Sequence, residues 1–507
     1  MQQPNILFLQ VDQLFANALN AYGNEFSITP NLNRLSDNGV VFERTYCSFP
    51  LCAPSRFSMA TGQLCSNIGA YDNASEMPAS IPTYAHYLRD MGYYTVLSGK
   101  MHFIGPDQYH GFERRLTLDL YPADFAWAPN WGNEGKRDTN DARGVTISGV
   151  AERTVQMEFD EETTHQAVRH LYDIAQSDDA RPFFMQVSWT HPHEPFLCKP
   201  EFWDLYDDVN IPPPAVGPKS ADEHDAHSAR ILKDFGMLEY DFQPEDIARA
   251  RRAYYGSISY IDGMVGKLLD TLKACGMDQN TAILFTSDHG ELLGERGMWF
   301  KKHFYEASLK VPLLLYAPWI NPQRISTLAS LVDLLPTFCG LASGSGWQSD
   351  VEEIEGMDLT TLLDGAPSPE RQVFAEYLAE ATPAPIFMIR EGRFKFITST
   401  ADPDLLFDVE ADPNEVDNLA DRLEFAAEVA RFREIASDKW DNVALTKDII
   451  QSQKRRKLVK SAQANGQETV RWNHDEAPGE KVNWYRGKGS YNDWAFAHLP
   501  ARQLTPQ

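Results

Sequence analysis

Leu51-Cys52-Ala53-Pro54-Ser55-Arg56-Phe57-Ser58-Met59-Ala60-Thr61-Gly62 is the stretch from which the rest of the chain can be read. It places a cysteine where a loop enters a helix. Pro54 suits a first helical turn, where its missing N–H has no intrahelical partner to lose. Ser55 to Ala60 can continue the helix, and Thr61-Gly62 can end it. The Cys52 side chain therefore belongs near a helix N-terminus, where backbone N–H groups and the helix dipole favour negative charge. Arg56 adds a fixed cation one turn on. Such a site favours an anionic nucleophile and an anionic substrate. Taken alone, the same pattern also describes a helix that begins on an ordinary buried cysteine, so the surroundings must decide.

Four apolar runs supply those surroundings. Asn5–Val11 reads as a strand buried on both faces, as in a parallel sheet, and stops at Asp12-Gln13. Residues 93–97 lead into Ser98-Gly99-Lys100-Met101-His102, where alternation in an extended segment points Lys100 and His102 the same way. Residues 183–189 lead into Thr190-His191-Pro192-His193-Glu194-Pro195. Residues 281–286 lead into Ser287-Asp288-His289-Gly290-Glu291, with Lys301-Lys302-His303 and another strand, 311–316, beyond. In open α/β sheets, functional groups gather past the carboxyl ends of strands. Two carboxylates from separate strands, Asp12 and Asp288, can chelate a hard divalent cation, and Gln13 and His289 can complete its shell. The lysines and histidines can surround an anionic ester. A metal, cations and a nucleophile at a helix N-terminus together suit sulfuryl or phosphoryl transfer.

The remaining pattern is that of an α/β enzyme. Helices are predicted over 161–174, 245–272 and 327–341. Residues 105–150 lack periodicity and read either as an insertion shaping a pocket or as a surface-packing loop. Residues 200–245 read as a polar surface excursion. From about Gln372 the rhythm changes to short antiparallel strands with a turn near Gly392, closed by a helix over 424–440. The expected division is a catalytic α/β domain over 1–371, a smaller α+β domain over 372–450, and a helix with an aromatic tail over 451–507. Lys454-Arg455-Arg456-Lys457 fall in a short basic helix. Trp472, Trp484, Tyr491 and Trp494 make the tail too aromatic for disorder by composition, and suit packing on another subunit or over the pocket.

Composition narrows the class. The 507 residues are 43% hydrophobic and 23% charged, as in a globular enzyme. The formal net charge of −26 argues against a general nucleic-acid or anionic-membrane binder. An anionic substrate must then be captured by a local basic pocket. Six cysteines without a repeating interval are too few for a disulfide scaffold. The N-terminus lacks a basic region and no apolar run reaches membrane-spanning length, so a cytoplasmic protein is the expectation.

Cys52-Ala53-Pro54-Ser55-Arg56 with Thr61-Gly62 resembles the signature of the type I sulfatases, within the alkaline phosphatase superfamily. The resemblance implies a large, mixed but mainly parallel sheet flanked by helices, with a smaller C-terminal antiparallel sheet. It implies that Cys52 is oxidised to Cα-formylglycine by a maturation enzyme. The hydrated aldehyde would supply the nucleophile for hydrolysis of a small-molecule sulfate ester. It assigns Asp12, Asp288 and His289, with the residue-52 side chain, to one divalent metal, Ca²⁺ ahead of Mn²⁺ or Mg²⁺; Gln13 stands where many members carry a second Asp, and His289 where several carry Asn. Lys100, His102, His193 and Lys301 match sulfate-binding and acid/base positions, and Arg56 the residue that orients the diol. His193 is preferred to His191 because the family pattern is His-x-Pro. The runs Ser98 to Gln108, His110 to Glu113, Tyr121 to Phe125 and Gln451 to Arg456 resemble the choline-sulfatase branch. There a quaternary ammonium is held by aromatic and acidic side chains; Trp127, Trp131, Glu376 and Glu380 are the candidates here. Asp138 to Gly144 departs from that branch, and Arg143, if it enters the pocket, would repel choline. Two alternatives stand beside this reading: a promiscuous arylsulfatase acting also on phosphonates or phosphodiesters, and an inactive anion- or metal-binding protein with Cys52 left as a thiol. A homo-oligomer is expected from the aromatic tail.

Overall fold

The structure, a computed structural model, describes residues 3–131, 141–365, 370–465 and 495–501. Among the described residues, nine strands form the large sheet. They are β1 (Asn5–Val11), β2 (Val40–Tyr46), β3 (Tyr94–Gly99), β4 (Arg114–Arg115), β5 (Phe183–Ser188), β6 (Thr281–Ser287), β7 (Lys310–Val311), β8 (Leu313–Tyr316) and β9 (Gln323–Ser330). Their order is β9-β2-β8-β6-β1-β5-β3-β4, with β7 on β2. The centre, β6-β1-β5-β3, is parallel, while β8 runs antiparallel to both β6 and β2. Ile6 to Leu9 are fully buried, as a strand covered on both faces requires.

The register positions the site. Val11 pairs with Ser287, Gln10 with Ser188, and Gly99 also with Ser188. Asp12, Asp288, Lys100 and Trp189 therefore leave the sheet at one level of one edge. The long helices Val155–Ala175 and Pro244–Ala274 pack beside it through apolar stripes.

A second, antiparallel sheet holds β10 (Gln372–Tyr377), β11 (Ile386–Glu391), β12 (Phe394–Ser399) and β13 (Leu405–Asp408). The turn near Gly392 joins β11 to β12. Its apolar face continues the core of the large sheet, with the rings of Phe49 and Tyr377 at 5.6 Å. Two expectations need correction. Residues 327–330 extend β9, parallel to β2, and the helix begins only at Leu334. An apolar run of that length fits either state, and the open edge of β2 decides it. The basic helix is not short: it spans 23 residues, Asn442–Ala464. It is tied down by the buried pair Arg456–Asp72, at 2.5 Å. The tail aromatics Trp472, Trp484, Tyr491 and Trp494 and the segment 138–140 lie outside the described residues. Among the described residues, no helix is long and apolar enough to cross a membrane.

Candidate active site

The stretch quoted first forms the helix Cys52–Thr61, buried along its whole length. Leu51 is its extended N-cap, and Gly62 ends it at φ 68°, donating to Ser58 O at 2.9 Å. That left-handed cap suits glycine. Cys52 is thus the first helical residue, as the sequence implied, with its thiol buried at the sheet edge.

Arg56 lies one turn on and is fully buried. Its Nε donates to Asp288 Oδ2 at 2.8 Å and its Nη2 to Asp12 Oδ2 at 3.1 Å. Its Nη1 donates to Lys100 O and Ser188 Oγ. Lys100 Nζ also donates to Asp12 Oδ2. Cations therefore occupy the Oδ2 atoms of both aspartates, and the Oδ1 atoms are left to face Cys52 and His289. Burial pushes the Asp12 carboxyl up, but the charges of Lys100, His193 and Arg56 outweigh it and hold the group well below its ordinary value.

His289 Nε2 lies 3.2 Å from Cys52 Sγ, 3.6 Å from Asp12 Oδ1 and 3.7 Å from Asp288 Oδ1. Its Nδ1 is 3.0 Å from Gly290 O, which fixes the proton on Nδ1 and turns the Nε2 lone pair inward. Burial lowers its basicity, which keeps the ring neutral. Ligand atoms of Asp12, Cys52, Asp288 and His289 all lie within 4.8 Å of one another. Two carboxylates, a neutral imidazole with its far nitrogen bonded, and a fourth side chain at residue 52 are a donor set that fits one divalent cation.

Gln13 sits at the rim of this set but engages elsewhere. Its backbone N–H donates to Asp288 Oδ1 at 3.1 Å. Its side-chain amide donates to Glu194 at 2.6 Å and to Glu291, and its Oε1 accepts from Lys301 Nζ. Lys301 Nζ is also 2.7 Å from His193 Nε2, whose Nδ1 is 2.7 Å from Glu194 O. Burial would lower the Lys301 ammonium's pKa, but Glu194 and the other nearby carboxylates raise it. Burial and the Glu194 charge push Glu291 up to about 7. Neither glutamate was singled out from sequence, though both stand inside the quoted strand-end runs; the signal was an acid one or two residues past a candidate histidine.

Lys100 and His102 do not share an extended segment. His102 takes φ 60°, and its ring stacks on Tyr121 at 4.7 Å. They converge nonetheless, since Lys100 Nζ lies 3.8 Å over the same Tyr121 ring. Burial and Lys100 hold His102 well below its ordinary pKa, so it is neutral. Asp119 fixes this turn by accepting from the N–H groups of Met101 and His102. His191 is held at Nδ1 by Asp160, 2.6 Å away, on the helix Val155–Ala175. Gln13, His102, Phe300 and Lys302 all adopt positive φ. Such strain in non-glycine residues gathers where a site is over-determined by its surroundings.

The expected leaving-group residues are dispersed. Trp127 packs edge-on to His102 at 5.8 Å. Trp131 donates its indole N–H to Ala379 O at 2.6 Å. Glu380 pairs with Lys302. Arg143 is exposed and bound to Asp141 at 2.6 Å, with Phe496 under its guanidinium at 5.1 Å. Glu376 is a correction: it is fully buried. Its carboxylate accepts from Ser66 N–H at 2.9 Å, the Ser66 hydroxyl and Trp440 Nε1 at 2.7 Å. Both oxygens are spent on the interior, so it cannot line a pocket for a cation.

The family model described as Sulfatase matches residues 4–345. One described as N-sulphoglucosamine sulphohydrolase, C-terminal, matches 294–439. A choline-sulfatase of Rhizobium meliloti (strain 1021) is 44% identical over 92% of this chain and 92% of its own. An arylsulfatase of Clostridium perfringens is 28% identical over 85% of this chain and 93% of its own. Among solved structures, a phosphonate monoester hydrolase from Silicibacter pomeroyi superposes with a TM-score of 0.72 at 25% identity, covering 87% of this chain and 96% of that one. The fold is shared with that solved structure, and the extent of the family match leaves one conclusion: the chain belongs to the sulfatases, the sulfuric ester hydrolases of the alkaline phosphatase fold.

Proposed function

We propose that the chain hydrolyses a choline-type sulfate monoester to alcohol and sulfate, with Cys52 matured to formylglycine beside one divalent metal, Ca²⁺ first. The observation that carries this reading is the convergence of Cys52, Asp12, Asp288 and His289 within 4.8 Å at the first turn of a buried helix. The likeness to the R. meliloti choline-sulfatase supports the choice of ester. When present, formylglycine supplies a hydrated aldehyde as nucleophile and the metal lowers the pKa of its hydroxyl.

The chain's own residues do the rest. Asp12, Asp288, His289 and residue 52 hold the metal. Arg56 locks the two aspartates in place. Lys301 and His193, 2.7 Å apart, present a cation and an imidazole that bind sulfate oxygens and support the departing alcohol. Each such donor is worth ~3 kcal/mol in the transition state. Lys100 adds a second cation over Tyr121. His102 is neutral and buried, the state a base requires. A maturation enzyme is an implied partner, and a homo-oligomer remains part of the proposal.

The fold shared with a phosphonate monoester hydrolase favours a second reading, an aryl sulfate and phosphonate hydrolase. Turnover of choline-O-sulfate, an aryl sulfate and an aryl phosphonate monoester by fully converted protein separates them. A preference for choline-O-sulfate supports the first. Fast aryl turnover with little on the choline ester replaces it with the second and makes Arg143 the residue to mutate. No turnover of any ester by converted, metal-loaded protein overturns both.

A further inference from the structure

Glu291 stands two residues past His289 and is fully buried. Three N–H groups converge on its carboxylate. Oε1 accepts from Leu293 N–H and from Phe300 N–H, each at 2.7 Å. Oε2 accepts from the side-chain amide of Gln13. The first two bonds close the loop 291–300 upon itself, and Leu292 N–H reinforces them on Phe300 O at 2.8 Å. Leu293, Phe300 and Lys302 take φ of 48°, 71° and 79°. Non-glycine residues hold such angles where their surroundings over-determine them, and here one carboxylate accepts from two of the three. Phe300 immediately precedes Lys301, so the same carboxylate sets the backbone from which Lys301 extends.

Gln13 supplies a second hold. Its backbone is fixed by Asp288 Oδ1, 3.1 Å from its N–H, and by the Tyr254 hydroxyl, which donates to its carbonyl O at 2.7 Å. Only the orientation of the side-chain amide remains to be set. Its nitrogen donates to two carboxylates, Glu291 on one side and Glu194, at 2.6 Å, on the other. A reversed amide would turn its oxygen against both of them. Oε1 therefore faces Lys301 Nζ, which also meets His193 Nε2 at 2.7 Å.

We infer that Glu291 is a positioning residue for the hydrolysis: one carboxylate sets the backbone of Lys301 through Phe300 and its ammonium through Gln13. This rests on the role proposed above for Lys301 at the sulfate oxygens. Glu194 reaches the same ammonium directly, at 3.5 Å. The hydrogen-bond partners of Glu291 are Leu293, Phe300 and Gln13, so its effect on the reaction passes through Lys301. Glu291→Gln keeps an acceptor oxygen for the two backbone N–H groups but sets an amide N–H against that of Gln13. The Gln13 amide then loses a partner that keeps its oxygen on Lys301, and the ammonium leaves its place beside His193.

The test is a double-mutant cycle on the converted, Ca²⁺-loaded full chain. Its readouts are kcat/KM for choline-O-sulfate and 4-nitrophenyl sulfate, and the Kd of inorganic sulfate by calorimetry. Alone, Glu291→Gln should lower kcat/KM and weaken sulfate binding at least about tenfold. In a Lys301→Ala background the same change should cost less than about twofold, since residues that act as one unit are not additive. A merely structural role would cost the same factor in both backgrounds; that result, or wild-type behaviour of Glu291→Gln, overturns the proposal. Gln13→Met removes the amide and leaves the loop bonds of Glu291 in place. Where Glu291→Gln does not fold, the cycle with Gln13→Met decides: losses confined to the Lys301 background support the proposal, and equal losses in both backgrounds overturn it. Wild-type turnover and sulfate affinity in Lys301→Ala itself would overturn the role of Lys301, and the role of Glu291 with it.

Discussion

At the scale of single residues, Arg56 carries more than its place in the sequence suggests. The sequence reading gave it a role toward the nucleophile. The structure gives it four acceptors at once, two of them the aspartates of the candidate metal set. A lysine keeps the charge but not the planar fork. Arg56→Lys should therefore leave Asp288 unpaired in the interior, while Lys100 still holds Asp12. Breaking such a buried pair destabilises by about 3–5 kcal/mol, and losing a ligand's outer partner weakens metal binding roughly 10- to 100-fold. Urea unfolding and calorimetric titration with Ca²⁺ read the two effects separately; wild-type Ca²⁺ affinity in the variant would remove Arg56 from the metal set. Lys301→Ala should act differently. Lys301 touches Gln13, His193 and Glu194 but none of the four candidate ligands. Ca²⁺ affinity should hold within a few-fold while kcat/KM falls about 100- to 1000-fold. Loss of metal affinity instead would make Lys301 a support of the metal site. Glu376 shows where single residues mislead: an acid beside aromatic residues reads as a cation's partner. Sequence gives the residue type but not that Ser66 and Trp440 close over it.

Elements explain why the site was otherwise legible. Asp12, Lys100, His193 and Asp288 each follow a strand within a few residues, and only Lys301 stands farther along its loop. Apolar strands covered on both faces are plain in a sequence, and a parallel register brings their ends to one edge without long-range guesswork. What stayed hidden are the features that depend on neighbouring elements: the extension of β9 along β2, the left-handed turn at His102, and the hold of Asp160 on His191. Gly99 tests the strand-end argument. It has φ 104°, and a Cβ there would lie 1.9 Å from Ser188 O on β5, a backbone atom that cannot swing aside. Gly92 has φ 92°, but its Cβ would meet nothing within 4 Å. Gly92→Ala should cost about 1 kcal/mol from backbone strain alone. Gly99→Ala should cost several times more and displace Lys100 from Asp12, seen as a lower melting temperature together with lost turnover. Equal costs at the two glycines would mean that the β3–β5 spacing yields freely and does not set the site.

Across the whole molecule, the two sheets are held together by buried polar contacts as well as by the continuous core. Glu376 on β10 receives Ser66 from beneath the Cys52 helix and Trp440 from the end of the helix Ala426–Lys439. Lys395 on β12 reaches Glu306 at 3.0 Å, beside the 303–305 segment. These contacts make the junction sensitive to pH. Burial pushes Glu376 up to about 7, from 4.5 in an unrestrained chain, with the nearby Glu355 adding to the rise. Below pH 4.5 both folded and unfolded chains hold this proton, and the group adds no slope. Between 4.5 and 7 the folded chain keeps a proton that the unfolded chain has released, so stability falls as pH rises. The fall is about 1.4 kcal/mol per pH unit, or up to roughly 3 kcal/mol in all, and it levels off above 7. Glu376→Gln cannot titrate. It should be less stable at low pH, because its amide sets N–H against the Ser66 N–H, yet its stability should decline less between pH 5 and 7. Urea unfolding of both proteins at pH 5, 6 and 7 measures the difference in slope. Equal slopes would mean that water reaches Glu376 in the folded protein and that the junction is looser than its contacts imply.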